Sequence, residues 1–90
     1  MAILAKFEVT GMDSATYDTV IRRLEDIGQG TPTGRLYHVC YGDRNRLQVI
    51  DIYDNPANLQ AFGAKLMPIL QEMVVVAQPA VEEVYGMIKG

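Results

Sequence analysis

Four side chains in the middle of this 90-residue chain have the chemistry to move a proton or hold a small molecule: His38, Cys40, Asp51 and Tyr53. They lie in two β-rich runs, Arg35 to Tyr41 and Arg46 to Asp54, around the turn-forming Gly42-Asp43-Arg44-Asn45. With Arg44-Asn45 as a two-residue loop, Asp43 faces Arg46, Cys40 faces Val49, and His38 stands directly opposite Asp51. Leu36, His38, Cys40, Val49, Asp51 and Tyr53 then share one face of a sheet, and Tyr37, Val39, Tyr41, Ile50 and Ile52 share the other. A one-residue shift of the loop would separate His38 from Asp51, so the juxtaposition rests on the turn.

A carboxylate beside an imidazole on an apolar wall orients the ring, and Tyr53 adds a hydroxyl to the same wall. Two readings of the pair are open. It is a general base, or an anchor for a small acidic or phenolic ligand; or it is a buried polar pair whose members satisfy each other. On the first reading His38, Asp51 and Tyr53 are the catalytic candidates, and Cys40, Phe62 and Leu66 line the ligand pocket. Cys40 as a nucleophile is disfavoured, because only His38 is placed to activate it, and it reads as a small buried hydrophobe. His38, Cys40 and Asp51 fall short of a zinc site, since the chain has no second His or Cys. Gly28-x-Gly30-x-x-x-Gly34 follows a helix and precedes a strand, the reverse of a phosphate loop, and it lacks the Lys-Ser/Thr ending. Neither metal nor cofactor is expected.

The elements that must position these groups read in the order strand, helix, strand, strand, helix, strand. Residues 2–10 alternate, with Ile3, Ala5, Phe7 and Val9 on one face. Asp13 or Ser14 caps a helix whose stripe is Tyr17, Val20, Ile21, Leu24 and Ile27, with Gly28 as its stop. Asn55-Pro56 opens a second helix carrying Leu59, Phe62, Leu66, Ile69, Leu70 and Met73, and Pro68 predicts a kink in it. Residues 74–81, broken by Pro79, read as an extended connection before a last strand from about Val81 to Ile88. This βαββαβ order predicts one α+β, ferredoxin-like domain over residues 1–90 with a four-stranded antiparallel sheet. Tyr37, Val39, Tyr41, Ile50 and Ile52 would be an apolar patch in a monomer, which points to a homodimer closed sheet to sheet about a two-fold axis.

The bulk composition narrows the function classes. An apolar content of 49% suits a globular core, and a net charge of −3 argues against nucleic acid or an anionic membrane as partner. The start of the chain is interrupted by Lys6 and Glu8 and reads as a strand rather than a leader, and no run approaches the ~20 apolar residues of a membrane span. The single cysteine fits a reducing compartment, so a cytoplasmic protein is expected.

With its βαββαβ order, the Val49-Ile50-Asp51-Ile52-Tyr53-Asp54-Asn55 run and the Asn58-Leu59-x-x-Phe62-x-x-x-Leu66-Met67-Pro68-x-Leu70 helix, the chain resembles the dimeric α/β-barrel superfamily. It is most similar there to small relatives of the antibiotic biosynthesis monooxygenase family. Tyr53-Asp54-Asn55 stands where that family commonly carries Trp-Glu-Ser, and the second helix here has no His. The resemblance implies a homodimer whose two sheets form a barrel, with a cleft between each sheet and its helices. It also implies a range of activities: cofactor-independent oxygenation of polycyclic aromatics, haem binding or degradation, and muconolactone-type isomerisation. Haem ligation would fall to His38 alone.

Overall fold

The computed structural model describes residues 1–90. In chain order its elements are β1 (Ile3–Thr10), α1 (Ser14–Asp26), β2 (Arg35–Asp43), β3 (Arg46–Tyr53), α2 (Pro56–Glu72) and β4 (Val76–Glu83). The four strands make one antiparallel sheet in the order β2-β3-β1-β4, and both helices pack against one face of it. That is the ferredoxin-like α+β fold.

Local chemistry explains where each element starts and which side it buries. Ile3, Ala5 and Val9 of β1 and Leu47, Val49, Asp51 and Tyr53 of β3 are buried beneath the helices, so the period-two pattern is realised. α1 begins where the Asp13 carboxylate accepts the Thr16 N–H at 2.8 Å, and it buries Val20 and Leu24. Ile27, at the foot of the expected stripe, is instead the C-cap and is half exposed. α2 begins where the Asn55 side chain accepts the Asn58 N–H at 2.9 Å, with Pro56 in the first turn, and it buries Phe62, Ile69 and Leu70. The helix continues through the exposed Pro68 to Glu72, although proline offers no N–H to the Ala64 carbonyl.

Two departures from the sequence pattern matter. The last strand is Val76–Glu83 rather than 81–88, and it pairs with β1 with Pro79 opposite Phe7. β4 is an edge strand, where alternate N–H groups face away from the sheet, so a proline is tolerated there. α2 reverses into it through Val74, whose φ of 57° is left-handed, while the Val75 N–H returns to the Leu70 carbonyl at 2.9 Å. Val74 occupies a position that favours glycine, and a β-branched residue there costs roughly 1–2 kcal/mol.

The second departure lies at the start of β2. Its register with β3 slips between Arg35 and Tyr37, so Arg35 stands opposite Tyr53 and Leu36 drops out of the ladder, 46% exposed. The face expected to carry Leu36 carries Arg35. The strand enters through Gly34, at φ 79°, where a Cβ would run into Asn58 and Asp54 and where the Gly34 carbonyl accepts the Asp54 N–H at 2.8 Å. This close approach fixes the beginning of β2 against the beginning of α2.

Candidate functional site

The β2–β3 hairpin delivers the site from its turn. Asp43 pairs with Arg46 across the two-residue loop, and the Asp43 carboxylate accepts the Asn45 N–H at 2.8 Å. From there the ladder places Cys40 opposite Val49 and His38 opposite Asp51. His38 Nδ1 lies 2.5 Å from Asp51 Oδ1, and His38 Nε2 lies 2.7 Å from the Tyr17 hydroxyl on α1. The Tyr17 and His38 rings are nearly parallel (8°) with centroids 6.0 Å apart, a spacing set by the in-line hydrogen bond rather than by face-to-face contact. Tyr17, His38 and Asp51 thus form one hydrogen-bonded chain from helix to sheet.

Donor and acceptor capacity fixes how the chain is wired. A carboxylate only accepts, so Nδ1 carries the proton that Asp51 receives. Nε2 then accepts from the Tyr17 O–H while the ring is neutral, and donates to the Tyr17 oxygen once the ring is charged. Asp51 is 2% exposed, so its charge is held almost wholly by this contact and by the field of its surroundings. Burial raises the Tyr17 pKa above its ordinary 10.0, with Cys40, Asp51 and Asp18 pushing the same way and Arg35 opposing. Tyr17 therefore enters the chain as a neutral hydroxyl.

A crevice of about 50 Å³ between the sheet and the two helices reaches this chain. It is lined by 16 residues, of which 13 are hydrophobic; the polar exceptions are Arg35, His38 and Asp51. Phe62 and Leu66 line it, whereas Cys40 and Tyr53 share the same face of the sheet outside the lining. The volume suffices for one or two waters and falls well short of the roughly 300 Å³ at which drug-sized pockets begin.

The flanking groups are set by burial. Cys40 is half-buried and burial pushes its thiol up, which disfavours the reactive thiolate. Tyr53 is fully buried, its hydroxyl has no hydrogen-bond partner, and burial raises its pKa far above 10.0, with the Asp51 charge adding and Arg35 opposing. The Arg35 guanidinium lies 5.7 Å from the Phe62 ring centroid and donates to the Gly30 carbonyl at 3.1 Å. No three His, Cys, Asp or Glu side chains come together as a metal-holding group. Both ring nitrogens of His38, the one residue to which haem ligation would fall, are engaged in hydrogen bonds.

Two members of the site were not evident from sequence. Tyr17 reads from sequence as one member of a buried stripe, and the only mark of its role is that a tyrosine hydroxyl on such a face ordinarily seeks a partner. Nothing in Gly34-Arg35-Leu36 marks where the extra residue of a bulge will fall, so the inward turn of Arg35 is not legible in sequence.

No protein-family model and no curated protein matches the chain. Solved structures do match its fold. SnoaB, a cofactor-independent oxygenase from Streptomyces nogalater, superposes with a TM-score of 0.62 at 14% identity, over 99% of this chain and 96% of that one. A provisionally assigned antibiotic biosynthesis monooxygenase from Deinococcus radiodurans gives 0.66 at 12%, over 99% and 97%. A de novo designed ferredoxin-fold protein gives 0.57 at 13%, over 100% and 92%. Such identities establish a shared fold.

The buried tyrosines dictate behaviour at high pH. An unfolded tyrosine loses its proton near 10.0, whereas Tyr53 in the fold does so only at higher pH. Its contribution to stability is complete below pH 10.0 and is lost as the pH climbs above that value. Tyr53→Phe also removes a buried hydroxyl without a partner. Thermal melts should therefore show the variant as stable as the parent, within about 1 kcal/mol, at neutral pH, and less weakened as the pH rises above about 10. An undiminished alkaline loss would show that Tyr53 does not carry it.

Proposed function

We propose that this ferredoxin-like unit acts as a homodimeric, cofactor-independent protein that takes a proton from an aromatic or enolisable small molecule. The observation that carries this reading is the Tyr17–His38–Asp51 chain ending at an apolar crevice. The Tyr17 oxygen takes the ligand's proton as its own passes to His38 Nε2, and the electron pair stays on the ligand as an enolate or phenolate. Asp51 compensates the imidazolium, and the surrounding apolar residues keep that compensation strong. The fold is shared with SnoaB, a cofactor-independent oxygenase. An electron-rich anion of this kind is what dioxygen attacks when an activated CH₂ becomes C=O, one oxygen atom entering the product and the other leaving as water.

The outer sheet face supports the homodimer. Tyr37, Val39 and Tyr41 are 40%, 49% and 37% exposed, and Val39 and Tyr37 sit beside Ile50 and Ile52 on the side away from the helices. A contiguous apolar patch of this kind is what sheet-to-sheet pairing covers. The competing reading is a non-catalytic homodimeric module, and it draws on the crevice volume of about 50 Å³, which a ligand could enter only by displacing side chains.

Deuterium wash-in at the activated CH₂ of 2-tetralone, followed by proton NMR, separates the two readings. The parent is expected to accelerate exchange, with His38→Gln and Tyr17→Phe each losing on the order of 100-fold. No acceleration by the folded parent would leave the non-catalytic module. Sedimentation checks the assembly: a dimer is expected for the parent and a monomer for Val39→Glu, and a monomeric parent would contradict the pairing.

A further inference from the structure

Arg35 is a cation at an apolar crevice with no carboxylate of its own. The two ion pairs in the protein, Arg23–Glu72 and His38–Asp51, both leave it out. A guanidinium has five N–H donors, and the one hydrogen bond Arg35 makes is to the Gly30 carbonyl. Its planar group lies over Phe62, which orients it without neutralising it. Directly across the ladder stands Tyr53, fully buried and outside the crevice lining, so Arg35 is the group of this pair that faces the crevice. Arg35 thus brings a charge and spare donors to an otherwise apolar crevice.

The two ends of the site differ in character. At the Tyr17–His38–Asp51 end every ring nitrogen is occupied and the terminal charge is negative; at the Arg35 end donors are in excess and the charge is positive. We infer that Arg35 forms an anion-binding end of the crevice, so that the ligand is a compact molecule with a carboxylate or other anionic oxygen there and its acidic hydrogen directed to Tyr17. This rests on the crevice being a ligand site, as proposed above. The planar, two-pronged donor geometry of the guanidinium matches a carboxylate in a way that lysine would not.

The test compares phenylacetate with phenylacetamide, which is nearly the same shape and uncharged, in NMR titrations of the parent, Arg35→Gln and Arg35→Lys. Phenylacetate is expected to bind the parent at least tenfold more tightly than the amide, shifting Phe62 and His38 signals. Arg35→Gln should abolish that preference, and Arg35→Lys should keep only part of it. Equal binding of acid and amide to the parent would overturn the anion end and leave the ligand site standing. Binding of neither, with the spectrum of a folded protein, would overturn both.

Discussion

One buried charge organises this molecule. Asp51 sits in the central region of the sheet at 2% exposure, and an ionised carboxylate there is tolerable only if something answers it. The answer comes from His38 on the neighbouring strand, and His38 is in turn held by Tyr17 on α1. The chain therefore ties sheet to helix with polar contacts inside an otherwise apolar layer. Removing either ring contact would leave a polar atom stranded, which is why hairpin register, α1 packing and site chemistry belong to the same constraint.

Much of that constraint could be read from residues in order. The two-residue Arg44-Asn45 loop sets the count along the hairpin, and the count alone puts His38 across from Asp51, because side chains in a strand alternate with period two. The same alternation placed Tyr37, Val39, Ile50 and Ile52 on the outer face. Asn55-Pro56 and Asp13 announced the helix starts through side-chain caps. What failed to show were features decided by tertiary context. The bulge that turns Arg35 inward follows from the fit of Gly34 against Asn58 and Asp54, residues about 20 positions away in sequence. Pro79 argued against a strand, and only its position on an edge of the finished sheet makes the strand permissible. Tyr17 gave no hint of its role because a helical stripe shows which side is buried and not what a hydroxyl will meet there.

Fold and chemistry separate cleanly here. The same backbone arrangement is found in SnoaB, a cofactor-independent oxygenase, and in a de novo designed ferredoxin-fold protein, at nearly the same low identity. The scaffold supplies a sheet face and two covering helices; in this chain Tyr17, His38 and Asp51 draw a polar line through them, with Arg35 and Tyr53 beside it. The crevice, at about 50 Å³, also sets a demand: a ligand larger than a pair of waters needs α1 and α2 to give way. The exposed Arg23–Glu72 pair between those helices is a weak tether and opposes such movement little.

The wiring of His38 is the point on which both the fold's polar core and its chemistry turn. Nitrogen-15 NMR of the single histidine at neutral pH reads it directly. The expected spectrum has the proton on Nδ1, facing Asp51, with Nε2 in a hydrogen bond whose shift changes in Tyr17→Phe while Nδ1 is unmoved. A neutral ring carrying its proton on Nε2, or an Nε2 signal indifferent to the loss of the Tyr17 hydroxyl, would contradict it.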